Sequence, residues 1–158
     1  MMDWRLRPCQ PQDEAFLRRV YAATRAGEIA LTGWSAEQAE AFLRMQFDAQ
    51  HQQYHARNPG AAFDIVELDG EAVGRLYVRR EAGRIHVIDI AILPPWRGRG
   101  LGGALLRALQ AEARQADASL SIYVEINNRA QVLYQRLGFQ VISTAGLYRL
   151  MEWRATTA

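Results

Sequence analysis

Up to Gly60 the apolar residues recur at helical spacing; beyond it they alternate or run together as they do in strands. Trp4-Arg5-Leu6-Arg7 alternates and predicts a short strand that Pro8 ends. Pro11 suits the first turn of a helix, where a missing N–H costs nothing, and Asp13 and Glu14 face the positive end of the helix dipole. Phe16, Leu17, Val20 and Tyr21 give that helix an apolar face, and residues 27–34 read as a connection. Ser35 with Gln38 has the form of a capping box. It opens a longer helix carrying Ala39, Phe42, Leu43 and Phe47, which continues towards Tyr54 and breaks at Asn58-Pro59-Gly60. A β-meander follows: residues 63–68, a hairpin turn at Asp69-Gly70, residues 72–79, a turn at Glu81-Ala82-Gly83, and residues 85–93. The last of these strands is apolar almost throughout, except for His86 and Asp89, as a strand central in its sheet is. Pro94-Pro95-Trp96 and a glycine-rich segment lead to a helix with Leu101, Leu105, Ala108 and Leu109 on one side. Residues 119–125 form a strand, and Asn128 with Gln131 resembles a second capping box, opening a helix through Leu137 that Gly138 ends. Residues 139–143 and 147–153 are the last strands, joined at Gly146. The order β-α-α-β-β-β-α-β-α-β-β predicts a mixed sheet with helices on its faces, of α/β or α+β class.

Composition narrows the class. The 158 residues suit a single domain over 1–158, and 49% hydrophobic with 23% charged residues is ordinary for a soluble globular protein. No apolar run approaches the ~18 residues of a membrane span. Met1-Met2-Asp3-Trp4-Arg5 has no basic segment followed by an apolar stretch, so no secretory leader is expected. Cys9 is the only cysteine, which forbids an intrachain disulfide and suits a cytoplasmic location; no catalytic partner is evident for it. The net charge is +2, and all 19 basic residues are arginine, which composition bias explains. They are scattered, so no nucleic-acid partner is expected. His51 and His55 have the i, i+4 spacing of metal ligands, but no third ligand is evident and their neighbours are polar; a solvated face and no metal are expected.

The strongest chemical signal is Arg97-Gly98-Arg99-Gly100-Leu101-Gly102-Gly103, between a strand and a helix. A helix N-terminus offers unpaired N–H groups and a positive dipole end, and glycines let a phosphate approach them. Arg97 and Arg99 add charge. Residues 98–103 also match G-x-G-x-x-G, with Glu125 about twenty residues on, as in dinucleotide folds. Residues 94–97 intervene between strand and glycine there, and the unit follows a meander, so the dinucleotide reading is set aside. In the other register the segment reads R-x-x-G-x-G. Further on, the stretch from Asn127 to Phe139 reads N-x-x-A-x-x-L-Y-x-x-x-G-F. The two blocks, in this order, resemble the GNAT superfamily of acetyltransferases over roughly residues 63–153.

That resemblance implies a mostly antiparallel mixed sheet with a V-shaped splay between the fourth and fifth strands, residues 85–93 and 119–125. It implies acetyl-CoA as the acyl donor. The amides of Gly98, Arg99, Gly100, Leu101, Gly102 and Gly103, with Arg97, would hold the pyrophosphate. Ile90, Ala91 and Ile92 would pair through their backbone with the pantetheine arm, one amide near Ile90 acting as oxyanion donor. Asn127 and Ala130 fall on the cofactor side. Tyr134 would be the general acid: a phenol of pKa about 10 is matched to a thiolate of about 8.5–10. The general base stays open between Asp89 and Glu125, with His86 more simply a partly exposed structural residue. Leu133, Leu137 and Phe139 are expected in the core and Trp96 against cofactor or helix, while Trp34 is a candidate lid residue. The implied reaction is direct acetyl transfer to a primary amine of a small molecule or peptide. The alternatives are a CoA-binding sensor without turnover, or acylation of a macromolecule such as aminoacyl-tRNA. Pairing through the last strands, as family members often do, makes a homodimer an expectation.

Overall fold

The computed structural model describes residues 2–156. Its elements are β1 (Trp4–Pro8), a 3-10 turn (Pro11–Asp13), α1 (Glu14–Ala30), α2 (Ala36–Arg57), β2 (Ala62–Leu68), β3 (Glu71–Glu81) and β4 (Arg84–Ile92). A second 3-10 turn (Pro94–Trp96), α3 (Leu101–Ala116), β5 (Ser119–Glu125), α4 (Ala130–Arg136), β6 (Gln140–Ala145) and β7 (Tyr148–Trp153) follow. The element order is the predicted one. The strands form a mixed, mostly antiparallel sheet in the order β1-β2-β3-β4-β5-β7-β6. Two compact units divide the chain, and β3 and β4 run through both. The first holds residues up to Leu76 and Ile90–Arg97; the second holds Tyr77–Asp89 and the chain from Gly98.

In the first unit β1 pairs antiparallel with β2, from Trp4↔Leu68 to Pro8↔Asp64. Pro8 therefore belongs to the strand; proline is tolerated there because β1 is an edge. Leu17, Val20 and Tyr21 of α1 and Phe47 of α2 are buried, with Tyr21 edge-on to Phe47 at 6.2 Å between ring centres. The capping box of α2 is complete: Gln38 N–H donates to Ser35 Oγ at 3.1 Å, and Ser35 N–H to Gln38 Oε1 at 3.0 Å. On β3, a Cβ on Gly74 would lie 2.3 Å from the Ala91 carbonyl oxygen. Only glycine lets β3 approach β4 so closely.

One expectation is overturned in this unit. Residues 27–30 are helix, not connection. Gly27 costs an exposed helix only about 1 kcal/mol, while Ile29 and Ala30 carry the helix on and Arg25 pairs with Glu28 at 2.8 Å across one turn. His55 is exposed and His51 half-buried, so the expected solvated face is present, and the rings also make contacts along it. His51 stacks on Phe47 at 5.4 Å and His55 on Phe63 at 4.0 Å, so the pair continues an aromatic column. Burial first, and then the nearby His51, hold the His55 imidazole below its ordinary pKa. Among the described residues no group of three or more His, Cys, Asp or Glu is placed to hold a metal ion.

A network invisible in the sequence ties this unit together. Arg7 on β1 donates bidentately to Asp13, both bonds 2.8 Å, and through Nε to Glu67 on β2 at 2.9 Å. Asp13 also accepts the Gln10 N–H at 2.7 Å. The Arg7 hydrogen bonds hold the Asp13 carboxyl down at about 2. A carboxylate with a depressed folded pKa stabilises above its unfolded value, and that stability is lost as pH falls through the folded pKa. Stability should therefore fall from pH about 4 towards 2. Asp13→Asn should lower the thermal midpoint at neutral pH and flatten this acid limb, read by thermal melts across pH.

In the second unit β4 pairs parallel with β5, and β7 pairs antiparallel with β5 and with β6. Leu105, Leu106 and Leu109 of α3 are buried, as are Leu120, Ile122 and Val124 of β5 and Met151 of β7. Phe139 is buried, whereas Leu133 and Leu137, expected in the core, are half-buried. The Asn128–Gln131 capping box does not form. The Asn128 side chain accepts from Ala130 N–H at 2.8 Å, an Asx turn, while Gln131 turns its amide to the carbonyls of Glu125 and Ile126. Gly138, at φ 98°, ends the α4 segment as expected; a Cβ there would meet the Trp153 ring at 3.2 Å.

Candidate active site

Within the second unit, the turn before α3 exposes a run of main-chain donors. Gly98 (φ 74°) and Gly100 (φ 84°) occupy the left-handed region that glycine enters without strain. Ala104 N–H donates to Gly100 O at 3.0 Å, the first bond of the helix. Among the described residues, no main-chain amide of residues 98–103 donates to a carbonyl. Open space lies where a Cβ on Gly98 would be, and residues 98–100 are exposed. These donors sit at the positive end of a 16-residue helix, the arrangement that binds phosphate. Arg99 is exposed beside them; Leu101 and Gly103 are buried and Gly102 half-buried.

β4 and β5 register from Arg84↔Ser119 to Val87↔Ile122. β4 then runs on to Ile92 and β5 to Glu125, so the pairing occupies only the first part of each strand, in keeping with a splay. Asp89, half-buried, lies on β4 beyond the paired stretch. Tyr134 on α4 is 6% exposed, with its ring 5.9 Å from that of Phe139. Burial, and secondarily the charge of Asp89, push the Tyr134 phenol up to about 12. Glu125 is exposed at the end of β5, and its carbonyl accepts from Asn128 N–H and from the Gln131 amide, both at 3.0 Å. Asn127 is exposed in the same turn and Ala130 half-buried at the start of α4. The second unit thus contains Asp89, residues 98–103, Glu125, Asn127, Ala130 and Tyr134.

Gln131 was read from the sequence only as a capping partner of Asn128, and it fills a variable position of the motif. It is buried, donates to three carbonyls between Glu125 and Asn128, and accepts from Arg149 Nη1 at 2.8 Å, fixing the turn that carries Asn127. In the first unit Ala91 is buried and Ile90 and Ile92 are half-buried. Arg97 donates from Nε to the Ile92 carbonyl at 2.7 Å, so that nitrogen is spent on the end of β4.

A model of the acetyltransferase (GNAT) family matches residues 15–139. The chain belongs to the GNAT acetyltransferase family. Over 109 residues this GNAT chain is 32% identical to an N-alpha-acetyltransferase of Sulfurisphaera tokodaii, covering 60% of this chain and 65% of that protein. Over 157 residues it is 32% identical to a mycothiol acetyltransferase of Mycolicibacterium paratuberculosis, covering 87% of this chain and 46% of that protein. The matched region is therefore less than two thirds of the length of these curated relatives. Its fold is similar to that of an N-acetyltransferase of Thermoplasma acidophilum solved in complex with coenzyme A, with a TM-score of 0.69 at 20% identity, covering 98% of this chain and all of that one.

Other residues of the GNAT chain take structural places. His86 is buried, not partly exposed, because it lies on the stretch of β4 that pairs with β5. Arg84 Nε donates to Ser121 Oγ at 3.3 Å, and the same hydroxyl shares a hydrogen bond with His86 Nδ1 at 2.8 Å. Burial first, then Arg84 and Arg79, bring His86 down to about 4. An unfolded chain takes up this proton near pH 6.5, so His86 costs stability progressively as pH falls from there to about 4. The His86 ring should therefore show no imidazole NMR titration between pH about 7 and 5, whereas an ordinary histidine titrates with its midpoint in that window. Trp34 stands 42% exposed with its ring edge-on to Phe42 at 5.0 Å. Trp96 packs with Phe16 and Ala23 onto Val20, Ala91 and Leu93, so it lies against helix α1 and strand β4.

Proposed function

We propose that this GNAT chain is an acetyl-CoA-dependent N-acetyltransferase that transfers the acetyl group directly to a primary amine. The observation that carries this reading is the run of unpaired amides at residues 98–103, in the same unit as a buried, protonated Tyr134. The relative solved with coenzyme A supports the choice of donor. The two units, joined by continuous β3 and β4, are read as one acetyltransferase domain. When bound, the donor supplies an activated acyl carbon and a thiolate leaving group.

The chain's own residues then have distinct tasks. Amides 98–103, with Arg99, bind the diphosphate; Arg97 serves through its remaining guanidinium nitrogens. Ile90, Ala91 and Ile92 offer strand backbone to the pantetheine arm, with Asn127 and Ala130 placed to hold it. Tyr134 keeps its proton on Oη and presents it to the departing sulfur. Asp89 takes a proton from the incoming ammonium. This pairing is self-consistent: the negative charge of Asp89 is one cause of the raised Tyr134 pKa, so protonating Asp89 makes the phenol a better donor. Exposed Glu125 is the weaker choice of base. Asp89→Asn should lower kcat by roughly 10²-fold or more, while Glu125→Gln stays near wild type; steady-state kinetics decide, and the reverse order would move the base to Glu125.

Relatives named as N-alpha-acetyltransferases favour an α-amino group as acceptor. Release of free thiol from acetyl-CoA should be measured across peptides with varied N-termini and small primary amines. Amine-dependent thiol release with acetylated product is the expected outcome. Binding of coenzyme A without turnover on any amine would support the sensor reading instead.

A further inference from the structure

Between α1 and α2, within the first unit, lies a groove of about 420 Å³ that the acetyl-transfer reading leaves unused. It is open because both walls carry alanine: Ala22 on α1, and Ala36 and Ala39 one turn apart on α2. Leu43, a further turn along, makes its floor apolar. The rim is cationic. Arg18, Arg19 and Arg44 line it against one carboxylate, Glu40.

Arg18 is paired inside the protein, whereas Arg19 and Arg44 form no ion pair among the described residues. Arg44 makes no hydrogen bond or ion pair among the described residues. The contact shown for Arg19 is the face of the Phe16 ring, at 5.8 Å. Arg18 gives Nη2 to Glu14, with Asp48 at 3.9 Å, yet its Nε is buried with no hydrogen-bond partner. Arginine forks match carboxylate and phosphate oxygens, two parallel bonds to each. The alanine and leucine walls favour a hydrocarbon portion over water.

We propose that this groove is a binding site for a small anion, a carboxylate or phosphate monoester carrying a short apolar body. The site is independent of acetyl transfer.

The test uses the full chain with ¹³C-labelled alanine methyls, titrated with hexanoate and, separately, with butyl phosphate, each with and without coenzyme A. The methyls of Ala22, Ala36 and Ala39 locate the ligand in the groove. Saturable shifts at these methyls in either titration are expected, unchanged by coenzyme A. The stronger of the two ligands identifies the head group. An Arg19→Ala, Arg44→Ala double variant, both positions exposed, should weaken binding by about tenfold or more while keeping the wild-type methyl spectrum without ligand. Hexanol and inorganic phosphate, each with half the chemistry, should bind more weakly. The proposal is overturned if neither ligand gives saturable shifts at these methyls, if the double variant binds as wild type, or if hexanol or inorganic phosphate alone matches the two anions. Thiol release plays no part in the readout, so failure of the acetyltransferase reading would leave this result intact.

Discussion

Replacing Tyr134 with phenylalanine is expected to lower kcat for acetyl transfer by roughly 10²–10⁴-fold, with KM for the acyl donor little changed. The sequence suggests a phenol of ordinary acidity, matched to the thiolate it serves. In the fold, burial and Asp89 push that phenol to about 12, above the ~8.5 of an ordinary thiol. Complete proton transfer to a thiolate is then uphill while Asp89 is charged. In the proposed mechanism the phenol would act first as a hydrogen-bond donor to charge growing on sulfur, and the transfer would become easier once Asp89 is neutral. Because its pKa is so high, Tyr134 should add no loss of activity between pH about 8 and 11. Phenylalanine keeps the ring contact with Phe139, so the thermal midpoint should hold while turnover falls. A variant with wild-type kcat at saturating substrates would remove Tyr134 from the chemistry.

Gly74→Ala should damage the first unit severely. A methyl there would lie 2.3 Å from the Ala91 carbonyl oxygen and 3.2 Å from the Ile92 Cα. Both are backbone atoms, and Leu93 N–H is bonded to Val73 O at 2.8 Å beside them, so the neighbours have little room to yield. Forced overpacking of this kind costs about 3 kcal/mol, and the thermal midpoint should fall by roughly 10 °C. Ala91 and Ile92 are also two of the proposed pantetheine partners, so donor affinity should fall even where the variant is folded. Gly27→Ala is the control: nothing lies within 4 Å of its added methyl, and alanine is the better helix former, so stability should rise. Melts and donor titration of both variants decide; an unaffected Gly74→Ala would mean the strands can separate at no cost.

The sheet and its helices were readable because their signals are local. Asp69-Gly70 marks one hairpin, Ser35-Gln38 caps α2, and Gly138 stops α4, each through chemistry confined to a few adjacent residues. The glycine turn before α3 was readable for the same reason, since positive φ at Gly98 and Gly100 favours glycine. What stayed hidden depends on partners distant in sequence. Arg7 gives no hint that it bridges Asp13 and Glu67, and Gln131 looks like a cap until Arg149 and the Glu125 carbonyl are beside it. Gly27 looked like a breaker because a propensity of about 1 kcal/mol is a weak local vote that its helix-forming neighbours outweigh. His86 was misjudged because burial of a polar ring is decided by what packs over it. The raised pKa of Tyr134 is likewise a property of the fold.

The account rests on main-chain amides at residues 98–103 holding the donor's diphosphate. Amide ¹⁵N–¹H spectra recorded during titration with coenzyme A, and in parallel with pantetheine, which lacks the diphosphate, address those donors one by one. Large downfield proton shifts at Gly98, Gly100, Gly102 and Gly103 with coenzyme A, absent with pantetheine, are predicted. Saturable coenzyme A binding that leaves these glycine amides unshifted would contradict the assignment.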